Sequence, residues 1–229
     1  MKVASSSKNS SEDSGSRLLR GQDSRTTILL TAAKMATTKG LAGLSIGDLA
    51  AEVGMSKSGL YAHFKSKEEL ELATIEMAAI IFNREVLQPA LTAPAGTERL
   101  KALVNSFLAH LERRVFPGGC FFSAVAAELD TRPGPARDRV VEIIGTWLAL
   151  LRQCILEAQD LGELDPLADV DLAVFEIEAM LLGANFLFMM KNDSIHLRQG
   201  RAGVENVLLR LAVSTKSTQK RSRMGTVKA

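Results

Sequence analysis

Three serines constrain this chain more than any other feature. Ser45, Ser56 and Ser66 each stand directly before a short segment with helical apolar spacing, within the stretch SIGDLAAEVGMSKSGLYAHFKSKEEL from Ser45 to Leu70. A serine hydroxyl at a helix N-cap accepts a hydrogen bond from an N–H of the first turn, so each serine starts one helix and forces the previous one to have ended. Asp48 follows Ser45, and Glu69 follows Ser66, at the spacing of a capping box. Gly54 supplies the turn between the first two segments. Ile46, Leu49, Ala50 and Val53 form the buried stripe of the first. The second, about Lys57 to Phe64, turns only Leu60 and Phe64 inward. A long helix then runs from Ser66 through Leu72, Ile75, Ala79 and Phe82 to about Leu87, where Pro89, Pro94 and Gly96 end it.

The same reading extends to an all-α chain of about nine helices. Hydrophobic residues make up 46%, enough for a substantial core, and strand signals are scarce: one Tyr, one Trp and no Asn-Gly turn. A first helix is predicted from about Arg25 to Lys39, with Ile28, Leu29, Ala32, Ala33, Met35 and Ala36 on its apolar face and Gly40 as its stop. Beyond Gly96, five helices are expected at roughly Thr97–Arg114, Cys120–Leu129, Gly134–Leu161, Leu167–Lys191 and Gln199–Val213. Phe-Pro-Gly-Gly (116–119), Arg-Pro-Gly-Pro (132–135) and Leu-Asp-Pro-Leu (164–167) separate them. Residues 1–24 and 214–229 are too poor in large apolar groups to order themselves and read as a flexible arm and a flexible basic tail.

Charge divides along the chain. Residues 1–70 hold 10 Lys/Arg against 7 Asp/Glu, residues 71–213 hold 13 against 19, and residues 214–229 hold 5 against none. A polyanion partner therefore suits the ends and not the acidic middle. Cys120 and Cys154 have neither disulfide-framework nor metal-ligand spacing, which points to a reduced, cytoplasmic setting. The first 24 residues lack the apolar core of a signal peptide. No uncharged apolar run reaches 18 residues, so no membrane span is expected. His63, His110 and His196 are scattered, and no nucleophile elbow, zinc-protease or phosphate-loop motif is present. No catalytic residue, metal or cofactor is expected. A Cys120/His110 thiol–base pair is the one enzymatic arrangement imaginable, and nothing in the spacing supports it.

Residues 25–72 have the composition of a helix-turn-helix. Its second helix must expose short side chains so that the backbone can approach a groove floor, and Lys57, Ser58, Gly59, Tyr61, Ala62 and His63 answer to that. Lys donates to guanine edges and Ser to several bases; Tyr61, His63, Lys65 and Lys67 can reach phosphate oxygens, as can backbone N–H groups near Ser45 and Ser66. A small three-helix bundle with a solvated polar face fits the pattern too, and Lys65 alone fits a solvated charge. Arg17, Arg20 and Arg25 in the arm suit either a minor groove or solvent.

Gly-Met-Ser-Lys-Ser-Gly-Leu-Tyr-Ala-His-Phe-Lys-Ser-Lys-Glu-Glu-Leu (54–70), with Ala-x-x-x-x-x-x-Gly-Leu-x-x-Leu-Ser-Ile-x-Asp-Leu-Ala-x-x-x-Gly upstream (33–54), resembles the signature of the TetR family of one-component regulators. The resemblance covers residues 25–72. It implies that Lys57, Ser58 and Tyr61 touch bases or adjacent phosphates and that Ser45, His63 and Lys67 hold the DNA backbone. Ala62 departs from the family's common larger aromatic. The resemblance also implies that residues 73–213 form a helical ligand-sensing and dimerising domain. Gly-Cys-Phe-Phe (119–122), Glu128 and Arg-Pro-Gly-Pro (132–135) are similar to one broad subgroup.

Aromatic and Met side chains concentrate in that second region, as they do in apolar cavities and in ordinary cores alike. The candidate pocket residues are Phe107, Cys120, Phe121, Trp147, Phe175, Glu176, Met180 and Asn185. Glu176 and Asn185 stand out as polar groups on apolar helix, and Cys120 as a thiol at a helix start, where the helix dipole lowers a pKa. The last two helices suit dimerisation: Gly183 and Ala184 allow close approach, and Val204, Val207, Leu208, Leu211 and Ala212 stripe the final helix. The expected function is a dimeric repressor, bound to a palindromic operator of double-stranded DNA and released by a small, largely apolar ligand. A ligand-independent activator or architectural DNA binder is the alternative.

Overall fold

A computed structural model describes residues 9–213, with side chains from 23 to 213; the basic tail and the first eight residues lie outside it. Helix follows helix: α1 (Asn9–Lys39), α2 (Ile46–Glu52), α3 (Lys57–Tyr61), α4 (Lys67–Phe82), a π-helical turn (Asn83–Leu87), α5 (Gln88–Leu91), α6 (Thr97–Glu112), α7 (Phe121–Leu129), α8 (Pro135–Asp160), α9 (Val170–Lys191) and α10 (Ile195–Leu211). Among the described residues there is no strand, only one isolated bridge between Leu164 and Ala212.

Where these bounds depart from the sequence reading, the reason is local. Helix α1 begins at Asn9, well before Arg25. No proline interrupts residues 9–24, and adding a residue to an existing helix is far easier than nucleating one. Helix α3 stops at Tyr61 because the His63 N–H turns back to the Leu60 carbonyl at 3.0 Å, a tighter bond that closes the segment before Ser66 caps α4. Pro89 does not end the long helix. The Gln88 N–H reaches the Asn83 carbonyl five residues back, and this wider turn lets the chain re-enter α-helix with Pro89 in its first turn, where a missing N–H breaks no bond. Helix α9 starts at Val170 because Asp169 caps it, accepting from the Leu172 N–H at 3.0 Å. Asn192 closes it in the left-handed conformation (φ 53°), and α10 begins at Ile195.

The serine half of each cap forms as its spacing predicts, while Glu69 returns to the Lys65 N–H rather than to that of Ser66. Ser45, Ser56 and Ser66 accept from Asp48, Gly59 and Glu69 N–H at 3.0, 3.1 and 3.1 Å. Gly54 sits at φ +68°, a conformation that costs glycine nothing.

One apolar core runs from Ile28 in α1 to Leu208 in α10. Helix α1 packs on α4 and α7, α4 on α8, and α6 and α8 on each other. Helix α4 crosses residue 72 without interruption, so the helix-turn-helix region and the rest are joined through a helix rather than a linker. Helix α9 is long and apolar enough to cross a membrane by composition alone. Here it lies against α8 and α10, burying Val174, Ile177, Leu181, Ala184 and Phe188. The close approach to α10 falls at Gly200, where a Cβ would stand 2.6 Å from the Ala184 Cβ, whereas Gly183 faces open space. Val204, Val207 and Leu208 are spent inside this hairpin, and the outward apolar face consists instead of Phe175, Phe186 and Met190 of α9 with Leu209 of α10, each more than 60% exposed.

Candidate nucleic-acid interface and ligand cavity

Leu60 and Phe64 are fully buried and fix the rotation of α3. With those two inward, Lys57, Ser58, Tyr61 and Ala62 point out, and Tyr61 is 58% exposed. The Lys57 stem lies over Gly47 of α2, where a Cβ would come within 3.0 Å of its Cε; the bare backbone there lets the lysine lie flat. Ser58 Oγ is 3.1 Å from Ser56 Oγ. Gly59 is half-buried against the same cap, and Ser45 flanks α3 with its hydroxyl engaged on Asp48. Lys65 is exposed, and its backbone N–H donates to Glu69 Oε2 at 2.9 Å. Lys67 has one donor committed, at 2.6 Å from the Ala42 carbonyl oxygen, with Glu71 at 3.7 Å; an ammonium has two more to offer outward.

Arg25 does something its place in a presumed arm did not suggest. Its guanidinium lies 4.3 Å over the Phe64 ring, donates to the His63 carbonyl at 2.5 Å and stands 3.6 Å from Glu69. It clamps α1 to the segment between α3 and α4 rather than extending toward a minor groove. The signal in the sequence was its register, three residues before Ile28 on the buried face of α1. The side chains of Arg17 and Arg20 lie outside those described.

Behind this head, a cavity of about 370 Å³ opens between the end of α4, α6, α7, α8 and α9. Phe82, Phe107, Phe122 and Trp147 supply aromatic walls; Ile143, Ile144, Ala126, Ala127 and Leu182 supply aliphatic ones. Phe107 stacks on Trp147 at 6.1 Å, and Phe82 meets Trp147 edge-on at 5.6 Å. The polar lining is Cys120, Ser123 and Glu178. Glu178 Oε2 accepts from Trp147 Nε1 at 2.8 Å, and burial pushes this carboxyl above its usual range despite that bond.

Of the eight pocket residues the sequence suggested, Phe107, Cys120 and Trp147 meet at this cavity. Phe121 is core, packed on Phe116 and Phe122. Phe175 is 70% exposed on the outer side of α9. Glu176 pairs with Arg210 of α10, and Met180 packs against Gly203. Asn185 caps α7 from α9, its Oδ1 accepting the Cys120 N–H at 3.0 Å. Periodicity on α9 could not tell which of its two apolar faces turns toward α8, so Glu178, two residues from Glu176, was missed. Phe82 was assigned to the stripe of a core helix, and its place on the cavity wall has no sequence signal.

Cys120 is not an activated thiol. Burial pushes its pKa up, outweighing hydrogen bonds with Ser123 and the first turn of α7. Cys154 is pushed to about 11 for the same reason. His110 stands behind the aromatic wall, edge-on to Phe82 and Phe116, 1% exposed and with neither ring nitrogen bonded. Burial lowers its pKa to about 4, so the ring is neutral.

Cavity and reading head meet at two joints. Glu128, on α7, accepts the Leu41 N–H at 2.6 Å and the Ala42 N–H at 2.7 Å, holding the α1–α2 loop with both oxygens. The Gly118 N–H donates to Thr37 Oγ1 of α1 at 3.0 Å, and a Cβ on Gly118 would fall on the Thr37 carbonyl oxygen.

A capped helix-turn-helix fused through α4 to a helical body defines a class: DNA-binding transcriptional regulators. Comparison narrows it. Residues 28–74 match the family model of bacterial regulatory proteins of the tetR family, and residues 96–204 match that of the tetracyclin repressor-like C-terminal domain. The chain belongs to the TetR family of transcriptional regulators. It is 24% identical to the HTH-type transcriptional repressor DhaR of Mycobacterium sp. (strain GP1) over 144 residues, 60% of this chain and 71% of that protein. It is 32% identical to the HTH-type transcriptional activator FasR of Mycolicibacterium smegmatis over 98 residues, 43% of this chain and 44% of that one. A TetR transcriptional regulator from Chloroflexus aurantiacus superposes with a TM-score of 0.78 at 27% identity, covering 84% of this chain and 98% of that chain.

Proposed function

We propose that this regulator works in the cytoplasm as a homodimeric repressor that leaves a palindromic operator when a small, largely apolar ligand enters the cavity. The carrying observation is the double duty of α7. One face of it, with Phe122, Ser123, Ala126 and Ala127, walls the cavity, and Glu128 near its end holds the loop that leads into α2. A ligand that displaces α7 by a fraction of an ångström changes the seating of α2 and α3, because packed cores switch between arrangements rather than deform smoothly. The ligand prefers the arrangement with the wrong head spacing, and that difference in affinity drives release.

Dimerisation uses α9 and α10. Phe175, Phe186 and Met190 of α9 and Leu209 of α10 expose large apolar side chains, and a second copy of the same two helices covers them in a four-helix contact. The two-fold axis sets two α3 helices into successive major grooves about 34 Å apart. Lys57, Ser58 and Tyr61 read or flank bases, Gly59 allows close approach, and Ser45, His63, Lys65 and Lys67 seat phosphates.

Selection of bound duplexes from a random pool, with the bound stoichiometry measured, tests this reading. A palindrome holding two chains is expected; an asymmetric site held by one chain would end it. The likeness to an activator favours a second reading, in which binding turns transcription on. A reporter driven through the selected operator separates the two by the sign of its response.

A further inference from the structure

The cavity has an electrostatic imbalance. Glu178 is the only acidic or basic side chain in its lining, the others being apolar, the Ser123 hydroxyl and the un-ionised Cys120 thiol. Oε2 of Glu178 accepts from Trp147 Nε1, and among the described residues no Lys or Arg acts on this carboxylate. Nothing charged offsets the burial that acts on it. A half-buried carboxylate without a counter-charge still gives up hydration, and the cavity wall it shares includes Phe82, Phe107, Phe122 and Trp147, rings whose faces carry partial negative charge.

We propose that the regulatory ligand is a lipophilic monocation whose charge sits against Glu178 and the aromatic wall; this rests on the cavity being the regulatory site. A cation supplies the missing counter-charge and gains from the rings. A neutral hydrocarbon leaves the carboxylate uncompensated. A carboxylate, sulfonate or phosphate ligand meets Glu178 with like charge and finds no basic residue in the lining.

Trp147 is the only tryptophan of the chain and is itself part of the site, so its fluorescence reports occupancy directly. Three probes of one shape and different charge make the test: 4-tert-butylphenyl-trimethylammonium, its neutral carbon isostere 1,4-di-tert-butylbenzene, and 4-tert-butylbenzenesulfonate. The full-length protein should bind the ammonium about tenfold tighter than the neutral isostere, and the sulfonate more weakly than either. Glu178→Gln, which keeps an acceptor for Trp147 Nε1, should reduce ammonium affinity about tenfold and leave the isostere unchanged. Equal binding of ammonium and isostere, tightest binding of the sulfonate, or a charge preference that survives Glu178→Gln would overturn the monocation while leaving the cavity as a ligand site. Silence of Trp147 toward all three would overturn the cavity reading as well. The wild-type comparison stands even if the variant folds poorly.

Discussion

Glu128 accepts the Leu41 backbone N–H at 2.6 Å across 87 residues of sequence. With Ala42 bonded to its other oxygen, one carboxylate on the cavity helix holds the loop between α1 and α2. Bonds of this kind, charged on one side, contribute about 1.5–3 kcal/mol each in proteins. Glu128→Gln replaces one acceptor oxygen with an NH₂ group that faces a donor. Amide exchange at Leu41 and Ala42 should speed up about tenfold or more, and cavity probes should no longer alter operator affinity. Unchanged exchange at both amides would remove Glu128 from the coupling.

Lys57 carries the sharpest expectation at the DNA face. Lys57→Ala should weaken operator binding about tenfold to a hundredfold and relax discrimination at one base pair of each half-site. A titration against single-base operator variants separates this from a phosphate contact, which would weaken all sequences alike and lower the salt slope by about one.

Arg25 should behave as a clamp. Arg25→Met keeps the stem over Phe64 and removes the guanidinium with its bond to His63, its pairing with Glu69 and its contact with the ring. The residue is partly exposed, so the loss is about 1 kcal/mol. Operator affinity and thermal stability should both fall, while probe binding at Trp147 should stay as in wild type. Denaturant titration beside a mobility-shift assay reads both.

Two glycines predict opposite signs. Gly118→Ala has no room against Thr37 and should destabilise by about 1–3 kcal/mol. Gly145→Ala lies within α8 facing open space and should stabilise by about 0.5–1 kcal/mol through helix propensity. Melting temperatures of the pair against wild type check the contrast.

His110 makes stability depend on pH in a definite window. Its folded pKa of about 4 lies below the ordinary 6.5, with Glu85 and Arg113 the charged groups that act on it. Between those values the unfolded chain binds the extra proton, so the neutral ring's contribution is full above pH 6.5 and is lost as pH falls toward 4. The slope is at most about 1.4 kcal/mol per pH unit. Urea titrations at pH 7, 6 and 5 should show it in wild type and lack it in His110→Leu.

The helix-turn-helix was legible because its information is local. Ser45, Ser56 and Ser66 cap by bonds that span three residues, Gly54 turns on its own φ, and Leu60 and Phe64 follow from helical period alone. The cavity was legible only in part. Composition located aromatic residues between α6 and α9, and Phe107, Cys120 and Trp147 converge there. Helix α9, however, is apolar on both sides, and period cannot decide which side meets α8. Phe175 and Glu176 therefore fell outside, and Glu178 inside, for reasons that arise only when α8 and α10 pack against it.

By itself, then, the sequence determined the helices, their caps and the polar outward face of α3, since each depends on residues within a turn or two of one another. Tertiary structure alone decided that Arg25 clamps instead of reaching out, that Glu128 ties the cavity helix to the α1–α2 loop, and that Glu178 meets Trp147 on an aromatic cavity wall with no basic partner. Each of those depends on contacts between residues 31 to 87 positions apart, whose meeting is set by how the helices pack and not by the pattern within any one of them.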